Sequence, residues 1–292
     1  MSRKRNLREK EESFFSQTVE RFARHRIAMV ALAVLMIEIL AVVFLPMVIT
    51  LDPYTSNAGN FSKGPSGEFI LGTDAVGRDV FARLIYGGRV SLAVGFFSAL
   101  LSAAVGVPLG LLAGYYGGVI RMVIMRLVDI FMSFPSLVIQ LVMVSILSAS
   151  IPSLIFVIGL LNWTSFARYT YSKVISIKEQ DFVTAAKATG ATSFTQMVRY
   201  ILPNSMSPLF VSFSYSMASA ILQESCLSFL GLGVQLPTST WGNMIYAAQS
   251  LSVLVTMPWL WIPPGIALII TVLSINFIGD GLRDALDPKM KI

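Results

Sequence analysis

Very few residues of this chain could carry out covalent or metal chemistry. His25 is the only histidine and Cys226 the only cysteine, so the sequence predicts neither a histidine metal site nor an internal disulfide. No G-x-x-x-x-G-K-[ST] phosphate-binding loop is present, which excludes ATP hydrolysis by that route. No nucleophile stands in a recognisable pattern with a base. We therefore expect no catalytic residue, no metal and no cofactor in these 292 residues.

Ionisable residues inside or beside long apolar runs are the remaining candidates for function. Glu38 lies near the middle of one run, where a carboxylate is costly; it is either functional, protonated or paired with a residue of a partner subunit. Arg126 and Asp129 are three residues apart, a spacing that predicts a local ion pair. Glu224 follows a later run, so it either meets an ammonium group of a substrate on the pathway or faces water.

One polar segment, residues 177–204, interrupts the apolar sequence and must face water. Within it, residues 184–190 predict a short helix with an alanine-rich exposed face. Gly190 supplies the positive φ that ends such a helix, and Thr192 or Ser193 can cap the next one. Pro203 then either stops that second helix or occupies the first turn of a membrane helix. The pattern predicts a helix-turn-helix on the membrane surface.

The composition places the chain among membrane proteins. Its mean hydropathy is +0.72, with 55% hydrophobic and only 13% charged residues, more apolar sequence than a soluble core of this size needs. The net charge of +6 is consequently not interpreted as a nucleic-acid surface. We expect an all-α fold with six transmembrane helices at residues 27–50, 90–115, 123–147, 151–170, 205–222 and 261–278.

The distribution of positive charge orients these spans. Eighteen of the 22 Lys and Arg residues fall before the first span or in the segments that would share its side, and four fall on the other side. The positive-inside rule then places both termini and residues 177–204 in the cytoplasm. The first apolar run is too long for a cleaved signal peptide, so it is an anchor. Residues 13–25 before it predict a helix on the inner leaflet, with His25 at the interface.

Residues 51–89 form the first outer segment. Its second half predicts an interfacial helix that leads into the second span, with an apolar face opposite Arg78, Asp79 and Arg83. The apolar face consists of Val76, Val80, Leu84 and Ile85.

Small residues recur every fourth position along the second span. They let another helix approach closely, where lipid gives no hydrophobic drive for packing. We assign this helix-packing role to Ser102, Gly106, Gly110 and Gly114, with Ser98 one turn earlier. Pro108 and Pro135 predict kinks in the second and third spans.

The polar segment resembles the "EAA" loop of bacterial ATP-binding-cassette importer permeases. Ala185-Ala186, Gly190 and Leu202-Pro203 have the spacing of that motif, whereas Thr184 replaces its Glu and Tyr200 its Ile. The wider sequence resembles the dipeptide and oligopeptide permeases, C-type subunit. The segments that carry this likeness are LGTDAVGRDVFARLIYGGRVSL (71–92), LLAGYYGG (111–118), RLVDIFMSFPSL (126–137), SFLGLGVQLPTSTWGNM (228–244) and GDGLRDALDPK (279–289).

The resemblance implies a type I ABC importer permease in a bacterial inner membrane. Its parts would be a cytoplasmic or interfacial segment (1–26), an anchor helix (27–50), an extracytoplasmic segment (51–89) and a five-helix core (90–292) with the coupling loop 177–204. Residues 184–186, Gly190, Leu202 and Pro203 would couple to the ATPase. Implied partners are a second permease, two ATPase subunits that hold ATP and Mg²⁺, and an extracytoplasmic substrate-binding protein that docks partly on residues 225–257.

Two function classes compete for this sequence. A self-sufficient channel or ion-driven carrier usually shows internal repeats and clustered charges at the membrane midplane, and neither is found. The importer hypothesis accounts for the surface loop and for the missing ATPase motif. Its expected substrates are di- or oligopeptides, and the alternative is a nickel chelate, glutathione or another small peptide-like solute.

Overall fold

The structure is a computed structural model that describes residues 14–286. No β-strand occurs within that range, which confirms the predicted all-helical class for it. A π-helical turn is formed by Gln196–Ile201. The helices are α1 (Phe14–Arg24), α2 (Arg26–Val48), α3 (Val80–Tyr116), α4 (Gly118–Met132), α5 (Ser136–Leu147), α6 (Ile151–Lys178), α7 (Asp181–Ala188), α8 (Ser193–Thr195), α9 (Leu202–Phe229), α10 (Trp241–Ile245), α11 (Leu251–Thr256) and α12 (Ile262–Leu286).

Five helical stretches of the described chain are long and apolar enough to cross a membrane. They are Arg26–Val48, Val80–Tyr116, Ile151–Lys178, Ser193–Phe229 and Pro258–Leu286. The bent pair α4 and α5 makes a sixth if it is counted as one span, which agrees with the predicted number. The cytoplasmic location of both termini stays a prediction, and residues 1–13 and 287–292 lie outside the described range.

The third predicted span is broken rather than kinked. α4 and α5 meet at an angle of 87° across the break at residues 133–135. Pro135 explains the break because its ring lacks an N–H donor and disfavours helical geometry at the residue before it. Pro108, by contrast, lies inside α3, which continues unbroken past it.

The interfacial helix predicted before the second span does not exist as a separate element. Residues 71–79 form a loop, and Asp79 caps a single 37-residue helix, α3, by accepting hydrogen bonds from the amides of Phe81 and Ala82. Arg83 therefore lies in the first turns of α3. It is buried, with 4% of its surface exposed, and not on a polar outer face as expected.

The stripe of small residues on α3 packs against α6 of the same chain. A Cβ on Gly106 would come within 2.3 Å of the Trp163 carbonyl oxygen, and one on Gly110 within 2.4 Å of the Ala167 carbonyl oxygen. The Ser102 hydroxyl donates to the carbonyl of Gly159 at 2.9 Å. The backbones of α3 and α6 thus approach as closely as the small side chains allow. Gly114 continues the contact against Val174.

Three further spans extend beyond the predicted limits, as α3 does. α6 continues to Lys178 because Val174 and Ile177 are still buried in an apolar cluster with Leu111 of α3. α9 begins at Leu202 and continues to Phe229, so Glu224 lies inside it. α12 packs against α9 and α2 and continues to Leu286.

Candidate coupling surface and buried polar sites

The predicted surface helix is α7, and it begins three residues earlier than expected. Asp181 in its first turn and Lys187 in its last turn both interact favourably with the helix dipole. Gly190 has a φ of +88°, the left-handed conformation that the sequence pattern predicts. Thr192 then opens α8, because its Oγ1 accepts a hydrogen bond from the Thr195 amide at 3.2 Å.

The two alanines of the motif differ in burial, because adjacent residues of a helix face different directions. Val183 is buried in an apolar cluster with Met197 and Ile201, and Ala186, three residues later on the same face, is also buried. The expectation that both alanines form the exposed face is therefore wrong for Ala186. Ala185 is exposed, together with Thr184, so these two residues belong to the surface that a partner could reach.

A short turn at residues 189–192 joins the surface helix to one continuous helical stretch that becomes a span. From Ser193 to Phe229 the chain remains helical for 37 residues, with Leu202 and Pro203 at the first turn of α9. Pro203 thus follows the second of the two expected arrangements. Gln196 in the π turn accepts a hydrogen bond from the Tyr115 hydroxyl at 2.9 Å, which ties this stretch to the end of α3.

Glu224 lies in a buried hydrogen-bond network and is not exposed to solvent. Its carboxylate accepts hydrogen bonds from the hydroxyls of Ser228 at 2.7 Å, Ser91 at 3.2 Å and Ser225 at 3.5 Å. Ser91 in turn accepts the amide N–H of Trp241. The expectation that Glu224 faces water is wrong, because α9 continues past it and turns its side chain toward α3 and α10.

A cluster of side-chain amides joins α5, α6 and α9, and sequence reasoning missed it. Gln223 Oε1 accepts hydrogen bonds from Gln140 at 2.5 Å and from Asn162 at 3.2 Å, and its own amide donates to Ser219 at 2.8 Å. Gln140 is fully buried, and its Oε1 has no hydrogen-bond partner within residues 14–286. The sequence signal that could have predicted this cluster is the presence of Gln140, Asn162 and Gln223 in three different apolar runs.

The other two membrane-depth candidates find partners within the same chain. Asp129 pairs at 2.7 Å with Arg168 of α6, not with Arg126 as predicted, because α4 packs beside α6. Glu38 of α2 lies beside Thr271 of α12. Its Oε2 has no hydrogen-bond partner in the described part of the chain.

A large cleft opens beside the start of α9. It has a volume of about 970 Å³ and lies between α6, α9 and α12. Lys173 and Arg283 supply positive charge, and Asn204, Ser207 and Ser212 are among its polar lining residues. No group of three His, Cys, Asp or Glu side chains that could hold a metal ion occurs in residues 14–286.

Comparison with known proteins gives matches along almost the whole chain. Residues 106–292 match the family described as "Binding-protein-dependent transport system inner membrane component". Residues 13–65 match the "N-terminal TM domain of oligopeptide transport permease C".

Curated relatives cover nearly the full length. The chain is 40% identical over 275 residues to the dipeptide transport system permease protein DppC of Alkalihalophilus pseudofirmus, with 94% of this chain and 90% of that protein covered. It is 38% identical to DppC of Haemophilus influenzae, with 92% and 93% covered. It is 37% identical to the glutathione transport system permease protein GsiD of Pectobacterium atrosepticum, with 93% and 90% covered.

A solved structure shares the fold. A chain of the MetNI methionine ABC transporter in an inward-facing conformation superposes with a TM-score of 0.57 at 20% identity, covering 70% of this chain and 96% of that one. The family match, the full-length relatives and the apolar helices agree: this is a multi-pass membrane protein, and it belongs to the family of binding-protein-dependent transport system inner membrane components.

Proposed function

We propose that this chain is a permease subunit of an ATP-driven ABC importer for di- and oligopeptides and forms half of its translocation pore. The observation that carries the proposal is the 40% identity, over 94% of the chain, to a dipeptide transport permease. Residues 27–50 serve as a peripheral anchor, and the core that follows them lines the pore together with a second permease.

The coupling role belongs to the exposed side of α7. Thr184 and Ala185 face outward, and small side chains there allow a partner to approach the helix backbone. Gly190 fixes the turn that follows, and Leu202 and Pro203 begin the span. Because the chain is helical from Ser193 to Phe229, a displacement of α7 has to cross only the short turn at residues 189–192 before it reaches the helix that enters the membrane. This geometry supports a role in transmitting closure of the ATPase subunits to the pore.

ATP and Mg²⁺ bind to the two partner ATPase subunits, because this sequence carries no phosphate-binding loop. The permease alternates between inward-facing and outward-facing states as those subunits close and open. An extracytoplasmic binding protein delivers the peptide to the outer surface, formed partly by residues 225–257. Substrate leaves toward the cytoplasm, where the cleft at Lys173 and Arg283 supports an exit route.

The decisive experiment is uptake by the reconstituted four-subunit complex with its binding protein. Labelled dipeptides and oligopeptides are compared with glutathione and with a nickel chelate, each as a competitor of the others. ATP-dependent accumulation of peptides, with weak competition by the other two solutes, is the expected result. Accumulation of the nickel chelate alone would overturn the peptide assignment.

Glutathione is the second candidate, and one observation favours it. The 37% identity to a glutathione transport permease is only slightly below the identity to the dipeptide relatives. The same uptake experiment separates the two candidates, because a glutathione importer would take up glutathione in preference to unmodified dipeptides.

A further inference from the structure

A second polar site lies on the side of the chain assigned to the outside, away from α7. Asp74, in the loop before α3, shares one carboxylate oxygen between two arginines. Its Oδ2 lies 2.7 Å from Arg78 Nε and 3.7 Å from Arg83 Nε. Its Oδ1 accepts the backbone amides of Val76 and Arg78, both at 3.0 Å. The carboxylate is thus already committed to Arg78 and to the loop backbone.

Arg83 is left with an incomplete set of partners. Only 4% of its surface is exposed, and its Nη1 has no hydrogen-bond partner in the described residues. The ion pair with Asp74 is long, and it is made to an oxygen that Arg78 holds at a shorter distance. A buried guanidinium N–H without an acceptor is costly, since burial removes the water that would accept its hydrogen bond.

The charges of the site do not balance. Two guanidinium groups and one carboxylate leave a surplus of one positive charge, and the side chains of Arg78 and Asp74 are themselves only 13% and 16% exposed. One further carboxylate would neutralise the surplus and accept the free N–H of Arg83. A carboxylate matches the planar donor fork of a guanidinium, and it is the anionic group that protein side chains carry near neutral pH.

The cavity beside these charges indicates where the carboxylate comes from. Its volume is about 290 Å³, at the lower end of the range for small-molecule sites, so it fits one side chain better than a whole peptide. Its lining is mostly apolar, and Val76, Leu236 and Tyr246 are exposed at its rim. Exposed apolar residues around a buried charge are typical of a protein docking surface and not of a site for a free anion.

We propose that this cavity receives an aspartate or glutamate side chain of the extracytoplasmic binding protein, with apolar neighbours of that acid packing on the rim. The inference rests on the proposed function, in which such a protein docks on this side of the membrane. Arg83 is then the residue that the docked acid pairs with, and Asp74 positions it.

The test measures docking on the complete complex in lipid nanodiscs. The binding protein used is one that stimulates ATP hydrolysis by the wild-type complex; if no candidate does so, the proposed function fails before the docking question arises. Arg83→Met is expected to weaken docking of that protein at least about tenfold and to reduce the salt dependence of its affinity. Lys63→Met is the matched control, because it removes one positive charge from an exposed position of the same loop region and is expected to leave docking unchanged.

A second pair of variants does not depend on the buried arginine. Val76→Asp places a competing carboxylate at the exposed mouth of the cavity and is expected to weaken docking, whereas the neutral Val76→Asn is expected to change it little. ATP hydrolysis without binding protein reports intact assembly for all four variants. If an assembled complex with Arg83→Met or Val76→Asp binds the binding protein with wild-type affinity, the proposal is wrong.

The source of the carboxylate is checked by docking the peptide-free and the peptide-loaded binding protein separately. An acid of the binding protein predicts that Arg83→Met weakens both. If the peptide-free protein docks normally and only the loaded one loses affinity, the carboxylate belongs to the peptide and the proposal is wrong.

Discussion

The Ser91 hydroxyl donates a hydrogen bond of 3.2 Å to the Glu224 carboxylate, and so joins α3 to α9 across 133 residues of sequence. The same hydroxyl oxygen accepts the amide of Trp241 at the start of α10. Glu224 is completely buried at this junction. The arrangement predicts that Glu224 holds three helices together and has no direct role in the pathway.

Glu224→Ala should destabilise the permease by about 1–3 kcal/mol, because the Ser91 and Ser228 hydroxyls lose their shared acceptor inside the protein. Glu224→Gln keeps an acceptor of the same shape and should cost much less. Thermal denaturation of the purified complex measures both. A Gln variant of normal stability that no longer transports peptide would instead identify Glu224 as a pathway residue.

Gly106→Ala should destabilise the contact between α3 and α6 by about 1–3 kcal/mol, because the added methyl would overlap the Trp163 carbonyl. Gly265→Ala is the control, since a Cβ there meets no atom within 4 Å. The amount of monodisperse protein after heating distinguishes the two. Equal stability of both variants would show that the backbones of α3 and α6 separate easily.

Gly190→Val should damage transport much more than membrane insertion. A β-branched residue at a φ of +88° costs about 1–3 kcal/mol and opens the turn after α7. Gly190→Asn, which tolerates left-handed geometry better, should retain most of the activity. Peptide-stimulated ATP hydrolysis is compared with the amount of complex in the membrane, and a fully active Val variant would contradict the turn's importance.

Ala185→Arg should prevent recovery of the ATPase subunits with the permease, because a long side chain at an exposed position blocks close approach. Ala186→Arg should instead lower the stability of the permease itself, since Ala186 is packed inside. Thr184→Glu, which restores the residue typical of the motif, should be neutral or mildly favourable. Normal recovery and coupling with Ala185→Arg would mean that α7 is only a solvated connector.

Cysteines introduced at Glu68 and at Lys187 in a Cys226→Ser background should react with an impermeant thiol reagent from opposite sides of the membrane. Both positions are exposed in the structure, so a lack of labelling would not reflect burial. Glu68→Cys should react from outside. Labelling of both from one side would contradict the six-span topology.

Features set by local sequence were the ones that could be predicted. The conformation of Gly190, the cap at Thr192 and the presence of a bend at Pro135, though not that it separates two helices, each depend on backbone preferences within a few residues. The number of apolar helices followed from hydropathy in the same way. These signals need no knowledge of which helices are neighbours.

Features set by packing between distant segments could not be predicted. The pairing of Asp129 with Arg168 requires α4 to lie beside α6, and the burial of Glu224 requires α3 and α10 to cover α9. Helical periodicity gave Arg83 an exposed face because it carries no information about the loop at Asp74. The burial of Ala186 likewise depends on a distant contact, because Val183 on the same face of α7 packs into the apolar cluster with Met197 and Ile201.

The π-helical turn at Gln196–Ile201 sets the rotational phase of α7 about the axis of α9. Each residue of an α-helix advances the chain by roughly 100°, and a π turn accommodates one residue more than the regular winding. Deleting one residue from this turn would let it rewind as α-helix. The membrane-spanning part of α9 would keep its orientation. The residues before the turn, Thr184 and Ala185 included, would be rotated about the axis of α9 and would face a different direction. The extra residue therefore determines the direction in which α7 faces.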